Sequence, residues 1–224
     1  GSYFKVFSQF RKACLTHLSV SLPACEPVPA TQAPQGITSD PIPTTVSGFP
    51  RPTDYLPALW PAGEAFAQRR LAAFVEDDLN EYPQRRDLPA EPGTSQLSAY
   101  LAAGVISIRQ CLHAALGYNQ GELDSGSTGV TTWINELLWR EFYKHILVGY
   151  PRVSRHRAFR AETEALPWRH APDELAAWQE GRTGLPLVDP AMRRRRAAGW
   201  MHTRLLTTVA PAPTTTPLND WPAG

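Results

Sequence analysis

A carboxylate and a guanidinium stand one helical turn apart inside an aromatic run, Glu136 and Arg140 in WINELLWREFYKH, Trp133 to His145. At about 100° per residue, Trp133, Glu136, Trp139, Arg140 and Tyr143 share one side of a helix. Ile134, Leu138 and Phe142 take much of the opposite side, so the helix is apolar nearly all round and should be buried. Charges set among two tryptophans and a tyrosine are costly to desolvate unless each finds partners. The two can partner each other at i, i+4 as a structural ion pair. The other chemistry open to them is a site for a large flat ligand with polar edges, stacked on indole and gripped at its rim.

Three further groups of residues could do chemistry. GTSQLS, Gly93 to Ser98, reads as the start of a helix, where free N–H groups and small hydroxyls suit a phosphate. Arg152, Arg155, His156, Arg157 and Arg160, and separately the run Arg193 to Arg196, could meet a nucleic-acid backbone or simply form solvated faces. Cys14, Cys25 and Cys111 are three, at spacings that match no zinc ligand set, so no metal is expected and they read as reduced thiols of a cytoplasmic protein. GxGxxG is absent, which argues against a dinucleotide fold.

These residues must be positioned by helices, because strand patterns are almost nil and the fold class reads as all-α, a compact multi-helix cluster. Pro61 opens a helix through about Glu81, with Phe66, Leu71, Phe74 and Val75 as its core face. Thr94 or Ser95 caps a helix that Gly104 stops, and Ser107 caps the next. A Gly-rich loop, Gly117 to Gly129, leads into the long central helix. Pro172 starts another that ends at Gly181, and a further one spans about Val188 to Ala198. Proline divides the chain, with 22 in 224 residues concentrated in two stretches. Residues 23–60 read as a linker and 211–224 as an irregular tail around a helical body at 61–210. Residues 1–22 stand apart as a short apolar run and a helical stretch, expected to dock loosely. A formal net charge of +1 provides no global basic field, so any nucleic acid must be met by a local patch. No run of about eighteen apolar residues and no signal peptide is present, so no membrane span is expected.

Taken in order, GTSQLSAYLAAGVIS, WINELLWREFYKH, EGRTGLPLVDPAMR (Glu180 to Arg193) and GWMHTRL (Gly199 to Leu205) resemble the FAD-binding helical domain of the DNA photolyase/cryptochrome family. They are most like the microbial members that repair cyclobutane pyrimidine dimers. The resemblance implies FAD as cofactor, with Tyr82, Thr94, Ser95, Gln96, Leu97, Ser98 and Arg140 around it. It implies Glu136 and Trp139 in the catalytic pocket, the first bonding a thymine edge of an extruded dimer and the second stacking on it. Trp200, Met201 and Arg204 fall beside the same substrate, and Trp168 matches the outer member of a tryptophan electron relay. The implied reaction is light-driven electron transfer from reduced FAD to the dimer in DNA, carried out by a monomer. It also implies that residues 1–22 are the end of an α/β antenna domain, and that the FAD-binding domain is incomplete on its C-terminal side.

Several positions depart from the pattern. Thr203 stands for an Asn, Arg194 to Arg196 for Gln, Leu and Asn, Leu185 for a Tyr, and Pro190 for an Ala inside a helix. An arginine at the Leu position should put a charge near the core. The residues therefore also suit a non-catalytic cryptochrome-like flavoprotein or an inactive DNA-binding fragment.

Overall fold

A computed structural model describes residues 3–33, 36–49, 58–167 and 171–211. Trp168 and all but the first residue of the expected tail lie outside the described residues. Among those described, the regular elements are helices, as the sequence pattern requires, and the sole β-type pairing is an isolated bridge between Val46 and Phe49. The helices are α1 (Phe7–Val20), α2 (Glu64–Ala73), α3 (Tyr82–Arg85), α4 (Ser98–Ala102), α5 (Ile108–Tyr118), α6 (Thr128–Gly149), α7 (Pro172–Glu180), α8 (Val188–Ala198) and α9 (Thr203–Val209). No helix among them is long and apolar enough to cross a membrane.

Local chemistry explains most boundaries. Ser107 and Gln110 form a reciprocal cap at α5: the Ser107 hydroxyl accepts from the Gln110 N–H at 3.2 Å, and the Gln110 amide oxygen accepts from the Ser107 N–H at 2.8 Å. Pro172 opens α7 and Gly181, at φ +68°, ends it in the left-handed conformation that favours glycine. Pro190 sits in the first turn of α8, where a missing N–H costs little. The expected helix from Pro61 to Glu81 is shorter and irregular. It begins at Glu64, passes into one π-helical stretch (Phe74–Asp78), and leaves Phe66 exposed beneath the Arg69 guanidinium.

Two apolar cores result. The larger gathers Leu71, Phe74, Leu79, Tyr82, Leu97, Ile106, Cys111, Leu112, Val130, Trp133, Ile134 and Leu137 from α2 to α6. Burying each large aliphatic side chain there stabilises the fold by about 1.5–3 kcal/mol. The α6 helix enters this core at Gly129, where an added Cβ would lie 2.0 Å from the Leu79 carbonyl oxygen, so only glycine permits the approach. The preceding loop is shaped by the buried Asn119, whose amide donates to the Glu122 and Ser125 carbonyls and accepts from the Ser127 N–H. The smaller core holds Trp178, Val188, Ala191, Met192 and Val209 from α7, α8 and α9. It meets the larger one through Trp60 Nε1, which donates to the Ala198 carbonyl at 3.1 Å, and through an Arg204–Asp87 pair at 2.5 Å.

Two expectations about packing fail. The N-terminal stretch does not dock loosely: α1 packs along α6, with Phe10 buried against Phe142 and His145. Arg11 Nε donates to Asn135 at 2.6 Å while the guanidinium also pairs with Asp124. Arg194 to Arg196 put no charge into the core either, because α8 turns Val188, Ala191 and Met192 inward and leaves the arginine run exposed.

Candidate functional site

Glu136 and Arg140 do not pair with each other. Glu136 Oε1 lies 2.8 Å from Arg86 Nη2, and that guanidinium is held over the Tyr82 ring, 5.2 Å from its centroid. Arg86 also approaches Asp87 at 3.5 Å, and Asp87 accepts from Arg204 Nε at 2.5 Å. A chain of alternating charges thus joins α6, the end of α3 and α9 in the order Glu136, Arg86, Asp87, Arg204. The Arg204 hydrogen bond holds the Asp87 carboxyl below the usual carboxylate range, and burial pushes the Tyr82 phenol up to about 12. Arg86 and Asp87 were missed from sequence. The available signal was that Arg86 follows Tyr82 by one turn, which places the cation where it can cover the ring.

The aromatic residues of α6 separate. Trp133 is buried in the larger core against Phe74, at 5.0 Å between ring centroids. Trp139 is partly buried and stacks on Phe7 of α1 at 3.6 Å and 8°, with Phe142 edge-on to it. Arg140 turns toward α4, where Nη2 donates to the Leu101 carbonyl at 3.0 Å, and its Nε is buried without a hydrogen-bond partner among the described residues.

Thr94 and Ser95 are not caps. The first residue of α4 is Ser98, its N-cap is Leu97, and no side chain caps it. Thr94, Ser95 and Gln96 instead form a loop over α2, lining a cavity of about 370 Å³ with Arg69, Arg70 and Tyr100. Gln96 has a left-handed backbone (φ +51°) and its side chain accepts from Arg70 at 2.6 Å. The N–H groups of Thr94, Ser95, Gln96 and Leu97 donate to no backbone carbonyl among the described residues. Leu97 and Tyr82 are buried in the larger core, and Ser98 is exposed. The residues expected around a cofactor therefore fall into the Thr94–Gln96 loop, Tyr82 beside Arg86, and Arg140 beneath α4.

On the α9 side, Trp200 and Met201 are half-buried, and Arg194 lies over the Trp200 ring at 5.2 Å. His202 is buried. Its Nδ1 accepts from the Arg204 N–H at 3.1 Å and so caps α9, and burial holds its imidazole below the ordinary range. Of the other basic cluster, Arg152 and Arg157 both bind Glu164, at 2.8 Å and 2.9 Å, and with Arg157 foremost they hold its carboxyl down to about 2. No group of three or more His, Cys, Asp or Glu side chains able to hold a metal occurs among the described residues.

The site thus rests on a helical cluster whose α6 helix presents a paired carboxylate and a stacked indole. A family model described as the FAD binding domain of DNA photolyase matches residues 133–224. The chain is 41% identical over 221 residues to the deoxyribodipyrimidine photo-lyase of Escherichia coli (strain K12), covering 99% of this chain and 46% of that protein. Identity to the Neurospora crassa deoxyribodipyrimidine photo-lyase is 40% over 168 residues, 75% of this chain and 27% of that one. Among solved structures, the cryptochrome of Synechocystis sp. PCC6803 superposes with a TM-score of 0.81 at 25% identity, covering 96% of this chain and 45% of that one. A bacterial class III photolyase from Agrobacterium tumefaciens gives 0.68 at 35% identity, covering 73% and 33%. Over nearly its whole length the chain is similar to members of the DNA photolyase/cryptochrome family. It spans about half the length of curated relatives that match nearly all of it.

Proposed function

We propose that this chain is the cofactor- and dimer-binding part of a deoxyribodipyrimidine photo-lyase, a DNA-repair enzyme that uses FAD and light to split cyclobutane pyrimidine dimers. The observation that carries the reading is the Glu136 carboxylate, fixed by Arg86 at 2.8 Å and three residues from the Trp139 ring on the same helix. An acceptor beside a flat apolar ring is what an extruded pyrimidine needs, with its edge hydrogen-bonded and its face stacked.

The residues present fit the polar edge of FAD. Among the described residues Arg140 Nε is a buried donor without a partner, and the N–H groups from Thr94 to Leu97 donate to no backbone carbonyl. The Thr94–Ser98 loop would hold the pyrophosphate, with Tyr82 beside it, and the Arg140 fork would hold a phosphate or ring carbonyl. The short α4 helix adds little dipole, so the loop's own N–H groups do this binding. When bound, FAD supplies light-driven electron donation and recovery, the chemistry that opens the cyclobutane ring.

The side chains place the substrate. Glu136 accepts from the thymine N–H, Trp139 stacks on the base, and Arg204 holds Asp87 and Arg86 in line behind Glu136. Trp200 and Met201, just before α9, are assigned to the substrate pocket as well, and Trp168 to electron relay. Three free thiols, Cys14, Cys25 and Cys111, suit a reducing compartment, and we place the protein in the cytoplasm as a monomer.

The test is FAD titration followed by illumination with dimer-containing DNA. Retained flavin absorbance after gel filtration together with light-dependent loss of dimers is expected. Retained flavin with no repair would move the reading to a cryptochrome-like flavoprotein, and absence of both would overturn it for this chain.

A further inference from the structure

We propose that Phe7 is a positioning residue for Trp139: α1 supplies a fixed aromatic backing that holds the indole in the orientation from which its other face meets an extruded base. The inference rests on the reading of Trp139 as the base-stacking ring. The two rings lie 3.6 Å apart and 8° from parallel. Isolated aromatic pairs prefer offset or edge-on arrangements, so a close parallel pair is held by its surroundings. Phe142 touches both rings edge-on, Phe7 at 5.8 Å and 72°, Trp139 at 5.7 Å and 78°. One turn further along α1, Arg11 is tied to Asn135 of α6 and to Asp124 in the loop before it. The buried Phe10 fixes the same helix against Phe142.

A ring has two faces: Phe7 takes one of those on Trp139, and Tyr143, one turn along α6 at 5.8 Å and 26°, flanks the indole without the close parallel overlap that Phe7 makes. An indole free to turn about χ1 and χ2 would have to be ordered when a base arrives, at a cost to affinity. A backing ring removes that cost beforehand. The N-terminal helix is then part of the recognition apparatus, although it lies outside the four strings that mark the family.

The experiment uses the full chain labelled with 5-fluorotryptophan, the Trp139 ¹⁹F signal being assigned by its absence in Trp139→Phe. Phe7→Leu and Phe7→Met both keep apolar volume on α1 without a flat ring, so one serves if the other folds poorly. Either should shift and broaden the Trp139 signal alone. Either should also weaken binding of dimer-containing DNA by about two- to tenfold, the scale of ordering one side chain, with intact DNA bound as before. Phe7→Tyr should restore both readouts. A Trp139 signal unmoved by loss of the ring, or dimer affinity equal to or above the parent's, would overturn the role. Trp139→Ala at parental dimer affinity would sink the base-stacking reading as well. Weakened binding in Trp139→Ala with parental binding in Phe7→Leu would sink the backing role alone.

Discussion

At the scale of single residues, Arg86 determines what Glu136 can do. A half-desolvated carboxylate among aromatic rings needs a cationic or N–H partner, and a free Glu136 would swing toward water. Arg86→Gln leaves a neutral donor in place of the guanidinium cation. Because both side chains are partly exposed, at 20% and 34%, the expected loss of affinity for dimer-containing DNA is only about 1 kcal/mol. Equal dissociation constants for the variant and the parent would remove Arg86 from the site. Trp139→Ala should cost more, about 1–3 kcal/mol, or roughly 5- to 150-fold in affinity, if the ring stacks on a base. A filter-binding titration on dimer-containing and intact duplexes separates that effect from general weakening. The crowding of Glu136, Trp139 and Arg140 on α6 was legible in sequence because helical periodicity is local. Their actual partners were not. Arg86, Leu101 and Phe7 come from three other segments, and no i, i+4 rule reaches across a fold.

At the scale of elements, the sequence spoke most clearly where a single side chain sets a boundary. Ser107 at the start of α5, Pro172 and Gly181 around α7, and Gly199 at the end of α8 follow from capping and breaker chemistry. Replacing Ser107 by Ala deletes one half of the reciprocal cap and should lower stability by about 1 kcal/mol in denaturant unfolding. An unchanged midpoint would mean that α5 is fixed by packing alone. The start of α4 and the docking of α1 were not legible for the opposite reason. Leu97 caps nothing and is drawn in by the core, while α1 is secured by Arg11 and Phe10 through distant residues. The α9 cap carries a pH dependence. Burial lowers the His202 pKa, so folding favours the neutral imidazole whose Nδ1 accepts from the Arg204 N–H. That stability is complete above the ordinary histidine value of about 6.5 and is lost as pH falls from there toward the lowered value. The melting temperature should drop between about pH 7.5 and about pH 5.5 in the parent. It should drop less in His202→Asn, which keeps a capping acceptor that does not titrate. Parallel pH profiles for the two proteins would contradict the argument.

At the scale of the whole molecule, the two cores meet through few contacts, Trp60 to Ala198 and Asp87 to Arg204, and the second of these runs through the candidate site. With a formal net charge of +1, attraction to DNA must come from cations that are not already neutralised. The structure sorts the two basic clusters on that criterion. Arg152 and Arg157 both serve Glu164, so one of their two charges is neutralised and both guanidinium groups are already engaged. In the α8 run, Arg193 donates to the Gly181 carbonyl and Arg194 covers Trp200, while Arg195 and Arg196 are exposed and make no ion pair among the described residues. Each phosphate neutralised releases counterions and contributes about 0.9 to the slope of log affinity against log salt. Changing Arg195 and Arg196 together to Gln should therefore flatten that slope by up to about 1.8 and leave the preference for dimer-containing over intact DNA in place. The double change of Arg152 and Arg157 to Gln should alter the slope less, because both guanidinium groups are held on Glu164 and one of their two charges is already neutralised by it. The reverse order of effects would place the phosphate-facing surface on the Glu164 side of the molecule, away from α8.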